Sequence, residues 1–477
     1  MADPSRRPTT AKSAPGTQTV ILVGVLVCAP LLFLRCASPP ETMAPPVAPP
    51  DTFSAAGTQP VADRWWTAFE SDSLNALVDS ATAANFTLRT AWQRLQAAQA
   101  VADRAAAPLL PTLDASAGGR VEGGEEQFEE GQTNETLDAG LTSSYEIDMW
   151  GRIRSRVQAE RLRAEATRAE YQTAALTLSA EVTRTWYRLA EARSQVRLVE
   201  QQIETNETVL QLLENRLETG QVEGVDVLRQ RQLVEATREQ RAVAETRVQE
   251  LEHQLAVLVG QPPQAGVAPR PDSLPDLPPL PEAGVPTDLV RQRPDVQRAH
   301  SLLKAADREL AAAISDQYPR LSLTASASSV ADNADDLFQN WAYAFAGNLL
   351  APIFRGGELR AEVDRTAAVK QQRLYEYGQT ILTAFREVED ALIREKKQRD
   401  RIARIEEQVD LAQRSFEQLR VRYLNGASNY LDVLTALDEV QQLRRDLLTA
   451  ELGLVEDRIA LYRALAGSFE TNREREN

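Results

Sequence analysis

Cysteine, histidine and basic charge are all scarce in this chain, and each shortage excludes something. The only cysteines among 477 residues are Cys28 and Cys36, both in the N-terminal apolar region. The remaining chain therefore holds no disulfide framework and no thiolate metal site. His253 and His300 are the only histidines, and neither has a second His or Cys nearby to share a metal. Each reads as a helix-surface residue. No nucleophile–base set, phosphate loop or metal cluster stands out, so the sequence points away from an enzyme and implies no cofactor. Lys and Arg number 53 against 69 Asp and Glu, for a formal net charge of −16. A nucleic-acid partner needs the opposite, a basic surface that displaces counterions. The longest hydrophobic run, "VILVGVLVCAPLLFL", is short for a bilayer span and is interrupted by Pro30.

Around that run the N-terminus has the pattern of an export signal over 1–36, with Arg6, Arg7 and Lys12 ahead of the apolar stretch. A Pro-rich segment over 37–62 follows and reads as an extended tether. A cysteine between an export signal and a tether suggests a lipid-modified N-terminus. Cys36 is preferred and Cys28 is the alternative, because the apolar run continues past Cys28.

Glycine and proline are missing where the chain is most regular. From Arg152 to Thr219 there is neither, and from Glu358 to Asn425 only Gly378 intervenes. Helices of that length span roughly 100 Å at 1.5 Å per residue. The two stretches belong to an internal repeat. "RLETGQVEGVDVL" starts at Arg216 and "RYLNGASNYLDVL" at Arg422, an offset of 206 residues. Tyr171 meets Tyr377 and Gly151 meets Gly357 at the same offset, while Pro111 and Pro319 differ by 208. Repeat 1 covers 63–285 and repeat 2 covers 286–470, with a polar tail over 471–477. Each repeat orders its elements alike. A helix comes first (71–106 and 288–315), then a β-hairpin with period-2 apolar residues. Leu113, Ala115 and Ala117 are answered by Leu137, Ala139 and Leu141 in the first hairpin. Leu321, Leu323, Ala325 and Ala327 lead the second, which returns around Trp341, Tyr343 and Phe345. The first hairpin tip, 121–135, is strongly acidic. The long helix then turns at Gly220 or Gly426 and returns over 225–259 or 430–466. Ile203, Leu210, Leu213 and Leu217 supply the heptad-like seam on which such helices pair.

Four strands cannot close a barrel, and a bilayer does not tolerate open sheet edges. If these strands enter a membrane, several chains must each contribute four, and the helical hairpins then stand side by side as a tube. The fold class expected is mainly α with a small membrane β-barrel. At the far end of the hairpins, Gly220 and Gly426 suit a tight turn and Asp226 and Asp432 open the returning helices. Repeated around one axis, these carboxylates would narrow a mouth and favour cations. Arg216 and Arg422 are placed to pair with neighbouring acids, and Glu214, Arg216 and Glu218 read as a solvated face. Trp65, Trp66 and Phe69 read as core anchors, "RQRPDVQ" from Arg291 as a packing motif, and Trp341 and Tyr343 as membrane-interface aromatics.

Those residues carry a family resemblance. "RWWTAFESDSLNALVDSATAAN", "APLLPTLDAS", "PTDLVRQRPDVQRAH", "DQYPRLSLTAS", "LLAPIFRGGELRAEV", "YGQTILTAFREVEDAL", "RYLNGASNYLDVL" and "LYRALAGSF" together resemble the TolC/OprM-like outer-membrane efflux ducts, many of them lipoproteins of the NodT type. The resemblance runs from Trp65 to Phe469. It implies a homotrimer with a shared twelve-stranded barrel in outer-membrane lipid, a helical tunnel through the periplasm, and docking to a periplasmic adaptor and an inner-membrane pump. It also implies a gating role at Asp226, Asp432 and Tyr423. A family member carries Arg where Ser428 stands, which puts any lock made by that Arg in doubt. An exit duct for type I protein secretion is the alternative within the class. A periplasmic adaptor, with one hairpin and more β-structure, is the alternative outside it.

Overall fold

Gly151 and Gly357 both adopt positive φ, 75° and 89°, and each sits immediately before a 67-residue helix. In the computed structural model, which describes residues 46–48, 50–55, 57, 60–122, 134–266, 270–284 and 286–476, the internal repeat is visible element by element. Cys28 and Cys36, with the export signal and lipid anchor assigned to them, lie outside the described residues, as does most of the acidic hairpin tip.

Repeat 1 runs α1 (Asp72–Ala84), α2 (Phe86–Ala106), β1 (Thr112–Glu122), β2 (Asn134–Ile147), α3 (Arg152–Glu218) and α4 (Gly224–Leu258). Repeat 2 runs α5 (Pro286–Gln292), α6 (Pro294–Ser315), β3 (Arg320–Ala331), β4 (Ala342–Leu350), α7 (Glu358–Leu424) and α8 (Tyr430–Leu465). The single helix expected over 71–106 is broken at Asn85. Its side-chain oxygen accepts the Leu88 N–H at 3.0 Å and its amide donates to the Leu258 carbonyl at 3.0 Å. Asparagine competes with the helix for backbone bonds, and here it both ends α1 and caps α2. The 288–315 helix is likewise two pieces, because Pro294 takes the first position of α6.

α3 packs along α2, α4, α6 and α8, and α7 along α6 and α8. Where these helices cross, Trp65, Trp66 and Phe69 enter an aromatic core. Trp65 stacks on Tyr462 at 5.8 Å, Trp66 meets Phe469 edge-on at 4.9 Å, and Phe69 meets Tyr187 at 5.2 Å. Beside it, fully buried Arg458 clamps Glu395 through two bonds of 2.8 and 2.6 Å and donates to the carbonyls of Pro278 and Pro279. Arg293, within the "RQRPDVQ" motif, makes a second clamp of this kind. It holds Asp295 and Glu387 and donates to the Ala464 carbonyl, so one guanidinium ties α6, α7 and α8.

Three expectations change. His300 is half-buried rather than a surface residue. It stacks on Tyr377 at 5.3 Å, and burial together with Lys304 lowers its pKa. The described part of the tether is laid against the protein: Phe53 meets Phe385 edge-on, the Ser54 N–H donates to Glu389, and the Gly57 N–H donates to Pro281. The polar tail forms α9 (Asn472–Glu476), and Thr471 before it shares a buried 2.8 Å hydrogen bond with the Tyr171 hydroxyl.

The four strands form one antiparallel sheet in the order β1-β2-β3-β4. Register places Ala115 opposite Leu141, Leu141 opposite Ala327, and Ala327 opposite Tyr343. Odd-numbered residues therefore share one face across all four strands. That face carries Leu113, Val121, Leu137, Leu323, Tyr343, Phe345 and Leu349. The even-numbered face carries Thr, Ser, Asp, Gly and small residues together with Arg120, Glu122, Glu146 and Arg320, with Val330 and Leu350 as its large apolar exceptions. The apolar face is open, with Phe345 87% exposed. Among the described residues no helix is long and apolar enough to cross a membrane.

Candidate functional site at the hairpin ends

The twice-used phrase is a helix stop followed by a helix start. After α3 the Gln221 N–H reaches the Arg216 carbonyl at 2.9 Å and the Gly220 N–H reaches Leu217 at 2.9 Å. After α7 the Ala427 N–H reaches Arg422 at 2.8 Å and the Gly426 N–H reaches Tyr423 at 3.0 Å. This pair of bonds is the Schellman motif, which needs a left-handed residue, and Gly220 and Gly426 have φ of 69° and 71°. The Arg–x3–Gly spacing is thus set by the capping bond. Both arginines lie in the last helical turn, where positive charge suits the dipole.

The returning helices start differently. On α8 the Asn429 side chain accepts the Asp432 N–H at 2.9 Å, and Ser428 Oγ donates to the Asp432 carboxylate at 2.9 Å. On α4 Glu223 makes no side-chain cap, and Asp226 lies 3.6 Å from Arg229. Ser428, just ahead of the N-cap, thus engages the acid in the first turn of α8. Neither Arg216 nor Arg422 forms an ion pair among the described residues. Arg422 only approaches the Ala427 carbonyl, at 3.5 Å, and Glu214 pairs instead with Arg231 at 2.6 Å.

The two hairpin ends pack on each other through Leu213, Val227, Tyr430 and Val433, with Phe416, Leu419 and Tyr423 around them. The rings of Tyr423 and Tyr430 lie 5.6 Å apart. The Tyr423 hydroxyl is buried, and the side chain that bears on it as a donor is Arg216. Burial raises its pKa, the charge of Asp226 adds to this, and Arg216 opposes it. So Arg216 and Asp226, from two other helices, both act on Tyr423. Asp432, Arg422 and Gly426 lie exposed outside that cluster.

Sequence reasoning missed the groups directly behind it. The Tyr430 hydroxyl donates to Gln230, whose amide donates to the Asn206 carbonyl at 2.7 Å. The Asn206 side chain donates to Thr237 at 3.0 Å and exchanges bonds with Gln441 at 3.3 and 2.8 Å. Gln202 donates to the Gln441 carbonyl at 3.1 Å, and Arg445 donates to Gln202 at 2.6 Å. This ladder joins α3, α4 and α8, with Asn206 and Gln230 fully buried. A signal existed. Asn206 falls between Ile203 and Leu210 in the heptad seam, and a polar residue at a seam position fixes register.

The sequence pattern described as "Outer membrane efflux protein" matches residues 77–261 and 285–467, one match for each repeat. The pyoverdine export outer membrane protein OpmQ of Pseudomonas aeruginosa is 34% identical over 470 residues, covering 94% of this chain and 97% of that protein. The cation efflux system protein CusC of Escherichia coli K12 is 28% identical over 454 residues, covering 92% and 98%. Among solved structures, CusC superposes with a TM-score of 0.84 at 26% identity, over 91% of this chain and 100% of that one. The open-state outer membrane channel MtrE of Neisseria gonorrhoeae gives a TM-score of 0.82 at 25% identity, over 91% and 98%. Two matched repeats, helical hairpins whose longer arms span about 100 Å and a sheet with one exposed apolar face lead to one assignment: the chain belongs to the outer membrane efflux protein family.

Proposed function

We propose that three copies of this chain form a passive exit duct, in which their sheets close one twelve-stranded barrel in the outer membrane and their hairpins line a tunnel across the periplasm. The observation that carries this is the sheet. It has two unpaired edges, β1 and β4, and an apolar face that is exposed. An apolar surface of this kind is stable against lipid, and unpaired edges are tolerated there only if a neighbour closes them. The hairpin ends, farthest from the sheet, are the mouth. Asp226 and Asp432, repeated about the axis, constrict it and favour cations. Tyr423, beside Asp226 and Arg216, holds it nearly closed through weak contacts that yield when a partner docks. A periplasmic adaptor and an inner-membrane pump complete the system, and the N-terminus is lipid-anchored at Cys36 or Cys28. The duct carries what its pump delivers: relatives are named for pyoverdine, toluene and cations, so this architecture does not select one cargo.

Single-channel conductance in a planar bilayer tests the reading. The wild type is expected to show a small cation-preferring conductance, and Asp226→Ala with Asp432→Ala to lose the preference and widen the channel. A folded, detergent-extracted trimer that forms no discrete channel would overturn the duct.

A further inference from the structure

The two hairpin ends share a cap but not its chemistry. Only one asparagine in the sequence is followed by glycine, and it is Asn425, at the end of α7. Its equivalent in repeat 1 is Thr219, whose hydroxyl donates to the Arg216 carbonyl at 3.0 Å. Asn85, Asn206 and Asn429 commit their side chains to hydrogen bonds. The Asn425 side chain makes none among the described residues, and Asn425, Gly426 and Ala427 are all exposed. An uncommitted asparagine amide in water is thermolabile, and most so before glycine, because a side chain on the next residue would shield the backbone nitrogen that attacks it. Around Gly426 nothing else does so: a Cβ built there meets no atom within 4 Å.

We propose that Asn425–Gly426 is a site of spontaneous covalent modification, where water replaces the side-chain amide by a carboxylate and unfastens the end of repeat 2 while leaving the end of repeat 1 intact. The Gly426 backbone nitrogen attacks Asn425 Cγ and gives up its proton to solvent. The new C–N bond closes a five-membered imide. The bond to the amide nitrogen breaks, and that nitrogen takes up a proton and leaves as ammonia. Water then opens the ring. Attack at Cγ restores the backbone with an aspartate, and attack at the main-chain carbonyl leaves the chain running through the side chain as an isoaspartate. One water enters and one ammonia leaves, with no change of oxidation state. A threonine at 219 cannot form the imide, so the repeat 1 end is immune.

The cap sets the rate. Asn425 has φ −91° and ψ 5°, the Gly426 N–H is held by the Tyr423 carbonyl at 3.0 Å and the Ala427 N–H by the Arg422 carbonyl at 2.8 Å. In this conformation the glycine nitrogen is turned back along α7 and not towards its neighbour's side chain. Reaction therefore waits for the capping bonds to open, which an exposed helix end does readily. The product then keeps them open. Isoaspartate lengthens the backbone by one methylene between 425 and 426, so the Schellman pair cannot close in its former register. The new carboxylate also stands at the C-terminus of α7, where the helix dipole opposes negative charge. A single chain suffices for this chemistry, which stands apart from the duct reading.

The test uses the full chain extracted from membranes into detergent, kept warm in mildly alkaline buffer and sampled by peptide mass spectrometry that separates asparagine, aspartate and isoaspartate. The peptide holding Asn425 is expected to convert, mainly to isoaspartate, while those holding Asn75, Asn206 and Asn215 stay as amides. Its rate should be roughly 10- to 100-fold below that of the same chain unfolded in urea, the protection that two capping bonds give. Amides at 420–428 should then exchange about 10-fold faster in the aged protein, with those at 214–222 unchanged. Asn425→Gln keeps an amide but needs a six-membered ring, which closes far more slowly, so this variant should age without either change. Asn425→Asp adds the charge without the methylene and should show only part of the faster exchange. Conversion in urea with none in the folded chain overturns the site. Equal rates in the two overturn the control by the cap. Conversion that leaves exchange at 420–428 unaltered overturns the unfastening.

Discussion

Asn206→Ala asks whether the amide ladder, rather than the apolar cluster at the tips, holds the two hairpins together near their ends. Asn206 is fully buried, and its side chain takes part in three hydrogen bonds, one to Thr237 and two with Gln441. Alanine removes all three. The larger effect falls on Gln441, which is 4% exposed and loses its side-chain partner on α3. An unsatisfied buried amide costs about 1–3 kcal/mol. A central value of about 2 kcal/mol is roughly a 30-fold increase in the population of the separated hairpin end. Hydrogen exchange of amides around 200–215 and 430–445 in the detergent-solubilised protein reports that population. Asn206→Leu with Gln441→Leu removes both amides and keeps the volume, so it should be close to neutral. The single variant is expected to exchange about 10- to 100-fold faster at these amides, and the double variant to stay near wild type. Unchanged protection in the single variant, or a double variant as labile as the single, would refute the ladder's role.

Arg458→Met should destabilise by about 3 kcal/mol, because it leaves buried Glu395 with only the half-exposed Arg399 and frees the carbonyls of Pro278 and Pro279. A thermal melt in detergent reads the loss, and adding Glu395→Leu should recover part of it. Although burial alone would raise the Glu395 pKa, Arg458 and Arg399 hold it below the ordinary glutamate value. The pair's contribution is therefore full above the unfolded-state pKa and is lost as pH falls through the folded one, so wild-type melting should drop on acidification. In Arg458→Met, Glu395 is left with Arg399 alone, and the acid-side drop should be smaller. Gly220→Ala meets no atom within 4 Å but must adopt a φ of 69°, so it should cost about 1–2 kcal/mol by local strain, visible as faster exchange at the hairpin end. Phe345→Arg places a cation on the apolar sheet face and, on the duct reading, should lower insertion by about 2–4 kcal/mol, read as the fraction of protein recovered in the membrane, while Ala346→Arg on the polar face should be tolerated.

What was legible beforehand was whatever depends on neighbours in the chain. Sixty-seven residues without glycine or proline in α3 made its length plain, and the one exception in α7, Gly378, did not break that helix. Period-2 apolar residues identified the strands, and the positive-φ glycines marked the turns. Asn85 was misread because a capping residue inside a helical pattern resembles any exposed polar residue until its partners, Leu88 and Leu258, are seen. The hairpin ends were half legible. Gly220, Gly426, Asp226 and Asp432 announce themselves by repetition. Tyr430, Gln230 and Gln441 do not, since their equivalents at the 206-residue offset, Gly224, Ala436 and Glu235, are of other types.

The sequence alone determined the periodicities, the stops and starts, and the duplication, because each arises from backbone sterics and side-chain spacing within a few turns. Tertiary structure decided which polar groups would be buried. Arg458, Arg293 and Asn206 look like any of the chain's many polar helix residues until two distant segments close over them. Their cost or benefit depends on whether a partner arrives at hydrogen-bond distance, and that partner lies 63, 94 or 235 residues away.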